Sequence, residues 1–373
     1  MPATLFDKDL RVYGSPSRYI QGQGAIGQVG RLVCDLGHRA IVVSDKLVLD
    51  LIGDQLTACL TSSDTAFEVV EFNGNLLQDT ASQLKELYVP SVGDVIVACG
   101  GGRAIDTGKA LAEIVKAPLI TIPTVASNDA PTSKNFVLYD TSHRLVEVRH
   151  LPKNPDAVIV DTQILARAPK HMFAAGLGDA LAKFSEAQAC AKAGGVNMFG
   201  AAPPRVALAI AQCCEDTLLA HGTSAFDVAG SGVVTEAFDA SAEAMILMAG
   251  LGFENGGLSI AHALTRGLSL VPGAKEAPHG YQVAYGLCVQ HMVAESPVPE
   301  AKLDLMRHVG LPVTLAELCG RPITQGDYEV IAQATSNVQH LKNFPAEVSA
   351  RQLIDAMQST EALFSKTPEN ELG

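Results

Sequence analysis

The sequence has little charge, and most of the charge that it has is negative. Charged residues make up 18% of the 373 residues, and the net charge is −13. In ordinary soluble domains, roughly a quarter of all residues are charged. A general nucleic-acid or anionic-membrane partner requires a basic face, so we expect neither. The chain has few charged residues and 47% apolar residues, so part of its surface is expected to be apolar. Such surface is shielded from water when copies of the chain associate, and we therefore expect a homo-oligomer.

Three further kinds of signal are missing. None of the eight cysteines forms a CxxC pair, so they predict buried thiols in a reducing compartment rather than a zinc ribbon or a disulfide framework. The charged start, Asp7 to Arg11, has no apolar core of a signal peptide. No uncharged apolar run reaches the roughly 18 residues of a membrane span. We therefore expect a soluble, cytoplasmic protein.

A glycine-rich stretch, Asp94–Lys109, carries the first positive signal. The β-branched run Val95–Cys99 predicts a strand buried on both faces, and Gly100, Gly101 and Gly102 follow directly. Apolar residues at helical spacing come next. Strand, glycine turn and helix together favour a pyrophosphate at the unpaired N–H groups of the helix. The spacing is not GxGxxG, and a tight turn that binds nothing is the alternative.

Strand and helix patterns alternate before Pro169, which predicts a parallel sheet with helices on both faces. Beyond it, helix-period segments take over. We expect an α/β dinucleotide-binding domain over residues 1–170 and an all-α domain over 171–373. Strands are predicted at 40–45, 67–72, 95–99, 118–123 and 157–161, a hairpin at 136–149, and late helices at about 171–192, 203–222, 233–250, 256–268, 280–294, 299–309, 326–337 and 349–364.

Three side chains of the second half suggest a metal site. Asp179 stands among small and apolar residues of a predicted helix, where an unpaired carboxylate is costly. His262 lies in an apolar helix, and His279 begins another. One carboxylate and two imidazoles form the three-ligand set of a catalytic divalent ion such as zinc or iron. Each residue alone is as well explained by packing, so the prediction depends on their meeting in space.

Several short segments, spread over nearly the whole chain, match the motifs of a known protein family in the order in which that family has them. They are Ser15–Gly22, Ser44–Lys46, Gly100–Lys109, Pro123–Pro131, Leu151–Pro155, Gly178–Ala182, Gly250–Gly257, His262 and His279. Together they resemble the iron-containing (group III) alcohol dehydrogenase family, above all its glycerol dehydrogenases. The resemblance implies a dehydroquinate synthase-like architecture: an NAD domain, then a helical metal domain, with the active site in the cleft.

The resemblance also implies roles for single residues. Gly100 and Gly101 are already expected in the nucleotide site because of the glycine turn. The resemblance implies further NAD contacts at Asp45, Gly102, Arg103, Ala104, Ile105, Asp106, Thr124, Val125, Ala126, Ser127, Ser133, Asn135 and Tyr139. It implies metal ligation by Asp179, His262 and His279 and substrate contact by Asp129, which complete the catalytic set. The expected cofactors are NAD and one divalent ion, zinc rather than iron. The expected assembly is a homo-oligomer, and the resemblance implies that it can be an octamer.

The chain departs from the glycerol dehydrogenase pattern near the proposed ligands. That pattern has a His-Asn pair that begins three residues after the first metal histidine, and a Glu-Lys pair after His-Gly. This chain has Thr265, Arg266, Tyr281 and Gln282 at these places. The expected reaction is hydride transfer between NAD and a small polyol or secondary alcohol, with glycerol (to dihydroxyacetone) or a vicinal diol as substrate.

Other activities stay open. Arg266 suits a substrate carboxylate, which leaves a hydroxycarboxylate dehydrogenase as the alternative. A sugar-phosphate cyclase is disfavoured because the helical half has few basic residues near the proposed ligands. A nucleotide-binding protein without catalysis is disfavoured because Asp179, His262 and His279 are all present.

Overall fold

The computed structural model describes residues 6–72, 77, 80–87, 89–139 and 145–365. The strands are β1 Tyr19–Gly22, β2 Arg39–Asp45, β3 Ala66–Phe72, β4 Asp94–Gly100, β5 Leu119–Pro123, β6 Asn135–Tyr139, β7 Leu145–His150 and β8 Ala157–Asp161. Six of them form a parallel sheet in the order β1-β8-β5-β4-β2-β3. Strands β6 and β7 form a separate antiparallel hairpin.

The helices follow the strands and then continue alone. They are α1 Val29–Leu36, α2 Lys46–Ser62, α3 Thr80–Glu86, α4 Gly102–Val115, α5 Thr162–Leu165, α6 Lys170–Leu181, α7 Lys183–Lys192, α8 Arg205–Val228, α9 Glu236–Glu243, α10 Ala249–Gly256, α11 Ile260–Leu268, α12 His279–Val293, α13 Glu300–His308, α14 Leu315–Cys319, α15 Gln325–Thr335 and α16 Ala350–Phe364. The predicted fold class, a parallel sheet with helices followed by a helical C-terminal part, is confirmed.

The differences from the sequence prediction are local. Strand β1 is not predicted because its four residues are too short to show a pattern; it pairs with β8. The helix expected at 171–192 is divided into α6 and α7 at Ala182, and the helix expected at 233–250 contains a π-helical segment, Ala244–Met248. Helices α5 and α14 have four and five residues, too few for a visible period.

Contacts divide the chain into two compact units. Among the described residues, the first comprises Gly14–Phe173 and Ser224–Leu251, and we call it the sheet unit. The second comprises 6–13, Ala174–Thr223 and 252–365, and we call it the helical unit. Both units consist of separated segments, so the single boundary near residue 170 stays a prediction.

The sheet is buried on both faces because alternate residues of its central strands enter two apolar cores. Ile41 of β2 joins the core formed with α4, whereas Val42 joins the opposite core. Helix α4 lies directly on β4, since a Cβ on Gly108 would come within 2.3 Å of the Cβ of Ala98. This close approach places the start of α4 immediately after the end of β4.

Small residues bring three helices of the helical unit into backbone contact. A Cβ on Gly178 of α6 would lie 2.4 Å from the carbonyl oxygen of Gly280 on α12, and a Cβ on Gly280 would lie 1.7 Å from that of Ala175. A Cβ on Gly286 of α12 would lie 2.4 Å from the carbonyl oxygen of Ala261 on α11. The helices that carry the three predicted metal ligands are therefore packed as closely as their backbones allow.

The cysteine prediction needs a correction. All eight cysteines are free thiols, but Cys34 and Cys213 are exposed and Cys59 is half-buried. They lie on helical faces that turn to solvent, which the apolar character of their neighbours does not show. Among the described residues, no single helix is long and apolar enough to cross a membrane, and one bent helix pair, 236–256 with 260–268, passes by length and composition alone.

The Gly280→Ala substitution tests whether this packing holds the helical unit together. The added Cβ meets the backbone of Ala175 at 1.7 Å, and backbone cannot move aside without separating α6 from α12. We expect the free energy of unfolding to fall by about 1–3 kcal/mol or more, as for other overpacked cores. Urea unfolding followed by circular dichroism measures it.

Gly326→Ala is the matched control. Gly326 lies in α15, and a Cβ there would have only an ordinary contact of 3.8 Å. Alanine should be neutral or stabilise that helix by about 0.5–1 kcal/mol. Equal stability of the Gly280 and Gly326 variants would contradict the close packing of α6 on α12.

Candidate metal centre and nucleotide site

The three predicted metal ligands meet at one place in the helical unit. One ligand atom from each of Asp179, His262 and His279 lies within 4.8 Å of the others. Nε2 of His262 is 3.1 Å from Oδ1 of Asp179, and Nε2 of His279 is 4.0 Å from the same oxygen. Asp179 is buried, His262 is half-buried and His279 is exposed, so the group opens on one side.

Glu186 of α7 holds His262 in place through both of its carboxylate oxygens. Oε1 accepts the backbone N–H groups of Ser259 and His262, at 2.8 and 2.9 Å, and so caps the start of α11. Oε2 lies 2.5 Å from Nδ1 of His262. A carboxylate at Nδ1 assigns the proton of a neutral ring to that nitrogen and turns Nε2 towards Asp179.

Lys183 lies inside the same group. Its Nζ donates to Oδ1 of Asp179 at 2.7 Å and is 3.0 Å from Nε2 of His262. The ammonium is also 5.0 Å from the centre of the Phe253 ring, a distance at which the ring face attracts a cation. Lys183 is 1% exposed, so its charge is balanced within the group rather than by solvent.

The charges of the group shift its pKa values. Burial alone would raise the pKa of Asp179, but Lys183 and the two histidines outweigh burial and hold this pKa well below its usual range. Burial lowers the pKa of His262, but Glu186 and the hydrogen bond to Asp179 together outweigh burial and raise this pKa above its usual value. Burial and the positive charges of His262 and Lys183 lower the pKa of His279, whose side chain is still 47% exposed, so that solvent reduces this shift.

The donor set suits a divalent ion. Two imidazole nitrogens and one carboxylate oxygen are ligands that zinc and iron share. A carboxylate behind a ligating imidazole is the usual support of such a ligand, and Glu186 supplies it for His262. His279 with its lowered pKa is neutral near pH 7, the form that binds a metal. The residues present therefore fit the predicted metal.

In the sheet unit, the predicted nucleotide residues gather at the carboxyl end of neighbouring strands. Asp45 ends β2 and Gly100 ends β4, and the strand order reverses between these two strands. Nucleotides bind at such a switch point in open parallel sheets. Oδ1 of Asp45 accepts the N–H of Val48 and caps α2, while its Oδ2 lies 4.0 Å from the place of a Cβ on Gly100.

The glycine turn leaves room for a ligand at the start of α4. Gly101 is the N-cap of this 14-residue helix and offers no side chain to its N–H groups. Gly100 has φ of 141°, and a Cβ on it would meet Ala104 at 2.6 Å. A Cβ on Gly102 would meet the amide of Asn128 at 2.9 Å, which places the loop after β5 against the turn. These features suit a pyrophosphate.

Lys109 and Asp106 of α4 fasten the loop that follows β5. The buried Nζ of Lys109 donates to the carbonyl oxygens of Ala130 and Asn135, at 2.6 and 2.5 Å. Oδ2 of Asp106 accepts the N–H of Val137 at 3.0 Å. Burial raises the pKa of Asp106, and Lys109 opposes this rise. Lys109 therefore positions Asn135, and Asp106 holds Val137 of the same strand, β6.

The other predicted cofactor residues differ in accessibility. Arg103 is exposed; Val125 and Ser127 are half-buried; Thr124, Ala126 and Ser133 are buried. Ala104 and Ile105 belong to the apolar core, so only their backbones remain for a nucleotide. The side chain of Tyr139 lies outside the described residues. Asp129 is buried in the sheet unit, whereas the three predicted metal ligands belong to the helical unit.

Thr265 and Gln282, which depart from the glycerol dehydrogenase pattern, form hydrogen bonds with backbone carbonyl oxygens. The hydroxyl of Thr265 donates to the carbonyl oxygen of His262, one turn back in α11. Gln282 is buried and donates to the carbonyl oxygens of Ala274 and Ala277, which fastens the segment before His279. Tyr281 packs against the helical core. Arg266 is exposed one turn after His262.

Sequence reasoning missed two residues of the centre, Lys183 and Glu186. A signal for them exists: they follow Asp179 by four and seven residues, which places all three on one face of a helical segment. Charged residues on the face of a buried aspartate indicate partners for it. The break at Ala182 does not move them from that face.

Comparison with known proteins decides the family. The sequence matches the family described as iron-containing alcohol dehydrogenase over residues 16–162. A glycerol dehydrogenase of Escherichia coli O6:H1 is 36% identical over 350 residues, which are 93% of this chain and 95% of that protein. The chain belongs to the iron-containing alcohol dehydrogenase family. The predicted family is thereby confirmed.

Two further proteins are similar to this chain over most of its length. The crystal structure of glycerol dehydrogenase from Schizosaccharomyces pombe matches with a TM-score of 0.90 and 30% identity, over 96% of this chain and 92% of that chain. Hydroxycarboxylate dehydrogenase A of Escherichia coli K12 is less similar, at 29% identity over 95% of this chain and 98% of that protein. The hydroxycarboxylate alternative therefore has weak support.

The Glu186→Gln substitution tests the support of His262. Glutamine has one acceptor oxygen for three N–H groups, so it cannot both cap α11 and accept from Nδ1. We expect zinc affinity to fall by about 10–100-fold, the usual effect of removing a residue that orients a metal ligand. Isothermal titration with zinc measures it. Glu329→Gln, on the exposed face of α15, is the control; equal affinity of both variants would refute the role of Glu186.

Proposed function

We propose that this chain is a metal-dependent oxidoreductase that transfers a hydride between NAD and a small polyol or secondary alcohol. Glycerol, oxidised to dihydroxyacetone, or another vicinal diol is the proposed substrate. The observation that carries the proposal is the convergence of Asp179, His262 and His279 within 4.8 Å, in a chain of the iron-containing alcohol dehydrogenase family. The 36% identity with a glycerol dehydrogenase supports the choice of substrate.

The chain's own residues would prepare the alcohol for hydride transfer. Asp179, His262 and His279 would hold the divalent ion, with zinc preferred over iron because it keeps one charge through the reaction. When bound, this ion supplies Lewis acidity that lowers the pKa of an alcohol hydroxyl. Glu186 keeps His262 directed by accepting from Nδ1 at 2.5 Å. Asp129 would orient a second hydroxyl of the substrate or take up a proton.

The nucleotide would be held by the sheet unit. The N–H groups at the start of α4 and the turn at Gly100, Gly101 and Gly102 would receive the pyrophosphate. Asp45 would accept hydrogen bonds from ribose hydroxyls and repel a 2′-phosphate. The loop positioned by Lys109 would supply the remaining contacts.

A comparison of substrates tests this proposal. With zinc-loaded protein and NAD, we expect kcat/KM for glycerol or 1,2-propanediol to exceed that for lactate or 2-hydroxybutyrate by at least about tenfold, because a carboxylate would need its own partner in the site. NADH absorbance measures the rates. His262→Ala is the inactive control, and His171→Ala on the exposed face of α6 is the active one.

A preference for 2-hydroxy acids would instead support the hydroxycarboxylate alternative. Arg266 is the residue that favours this alternative, since it lies one helical turn after His262 and arginine binds carboxylates through two parallel hydrogen bonds. In that case, Arg266→Ala should raise KM for the hydroxy acid. Absence of any NADH formation with both classes would refute the dehydrogenase proposal.

The Asp45→Ser substitution tests the choice of NAD over NADP. Serine keeps an acceptor for the N–H of Val48 and so preserves the cap of α2, but it removes the negative charge. We expect the ratio of kcat/KM for NADP to that for NAD to rise by about tenfold or more, since the 2′-phosphate is no longer repelled. Asp50→Ser, on the exposed face of α2, is the control. An unchanged ratio would remove Asp45 from the ribose site.

We further propose a homo-oligomer in the cytoplasm, with eight subunits as the assembly that the family resemblance implies. We propose a small-molecule substrate and neither a nucleic-acid nor a membrane partner. Eight free thiols support a reducing compartment. The low charge content supports self-association. Sedimentation equilibrium tests the assembly, and a monomer at micromolar concentration would refute it.

A further inference from the structure

The ammonium group of Lys183 lies beside the place that the proposed metal ion would occupy. Its Nζ is 2.7 Å from Oδ1 of Asp179 and 3.0 Å from Nε2 of His262, two of the three proposed ligand atoms. These two atoms are themselves 3.1 Å apart. An ion bound to both at about 2.0–2.1 Å lies, by the geometry of the two triangles, at most about 3.8 Å from Nζ.

Two positive centres at that separation repel each other strongly in a water-poor site. Lys183 and Asp179 are each 1% exposed, so solvent does little to screen them. A metal ion can therefore bind well only after the lysine side chain has moved away, which breaks the hydrogen bond to Asp179 at 2.7 Å.

The nitrogen of His262 adds a second conflict. The ring has one in-plane lone pair at Nε2, because Nδ1 faces Glu186. In this structure Nε2 faces the ammonium of Lys183 at 3.0 Å and Oδ1 of Asp179 at 3.1 Å. The lone pair with which Nε2 would bind a metal is therefore directed at the ammonium of Lys183.

Lys183 also explains how the site stays assembled without an ion. A buried carboxylate without a cation partner is costly, and Lys183 supplies that partner to Asp179. The same helical face brings Glu186 to His262. The charges of the group therefore alternate in space in the metal-free chain.

We propose that Lys183 is a resident cation that stabilises the metal-free centre and competes with the catalytic metal, so that it weakens metal affinity. This inference rests on the metal site of the proposed function. It assigns to Lys183 a positioning role, exchanged for a metal on loading, rather than contact with the reacting atoms.

The Lys183→Met substitution tests the competition. Methionine nearly preserves the length and removes the charge. We expect the zinc dissociation constant to fall by at least about tenfold relative to the unsubstituted chain, because no buried ion pair has to be broken and no charge is opposed. We also expect a lower melting temperature of the metal-free protein and a larger rise of that temperature on adding zinc. Chelator competition and scanning calorimetry measure these quantities.

Lys302→Met is the matched control. Lys302 is also 1% exposed in the helical unit and pairs with Glu215 at 2.5 Å. Its loss should lower the melting temperature of the metal-free protein in the same way, but leave the zinc dissociation constant unchanged. A merely structural role of Lys183 would give this result for Lys183→Met as well, and that result would overturn the proposal.

A second variant covers failure of the first to fold. Lys183→Gln keeps a donor towards Asp179 without the charge, and it is purified in zinc and stripped with increasing chelator. The proposal is supported if removing half of the zinc from Lys183→Gln takes more chelator than removing half of it from the unsubstituted chain. An equal or lower chelator concentration overturns it. Absence of zinc binding in the unsubstituted chain and in both variants would refute the metal assignment itself, which distinguishes the two failures.

Discussion

The centre of the helical unit depends on one electrostatic constraint: the carboxylate of Asp179 is buried and must be balanced by positive charge. Lys183, His262 and His279 all lie within 4.0 Å of its Oδ1. Together they hold its pKa well below the usual range in spite of burial. A second buried carboxylate, Glu186, balances His262 from behind. Acidic and basic side chains thus alternate around a place that suits a divalent ion.

Backbone packing makes this charge arrangement possible. Asp179 and His279 come from different helices, and they are neighbours because Gly178 and Gly280 let α6 and α12 touch. His262 is brought beside them by the contact of Gly286 with Ala261. The sheet unit follows a comparable rule, since Gly108 lets α4 lie on β4 and so directs its first turn to the end of the sheet. Glycines, which have no side chain, therefore let the helices approach closely enough to position both candidate sites.

Much of the fold is predictable because its signals are local. The β-branched run of β4 and the glycines after it specify a strand, turn and helix without reference to distant residues. The strand β1 is not predictable in this way, since its four residues become a strand only by pairing with β8. The exposed Cys34 and Cys213 show the same limit for burial, because a helical face is turned to solvent by tertiary packing.

The candidate metal centre was predictable in its ligand types but not in its balance of charge. Asp179, His262 and His279 stand out because charged or polar groups in apolar helices need partners. Lys183 and Glu186 share a helical face with Asp179, but only the structure shows that both are buried and directed to the ligands. Thr265 and Gln282 look like changes to substrate contacts, yet their side chains hold backbone carbonyls.

An anomalous difference map at the zinc edge, from crystals grown with zinc, tests the central claim most directly. The account predicts one strong peak within about 2.0–2.2 Å of Oδ1 of Asp179 and of Nε2 of both His262 and His279. A map without a peak at that place, or with the three side chains directed apart, would contradict it.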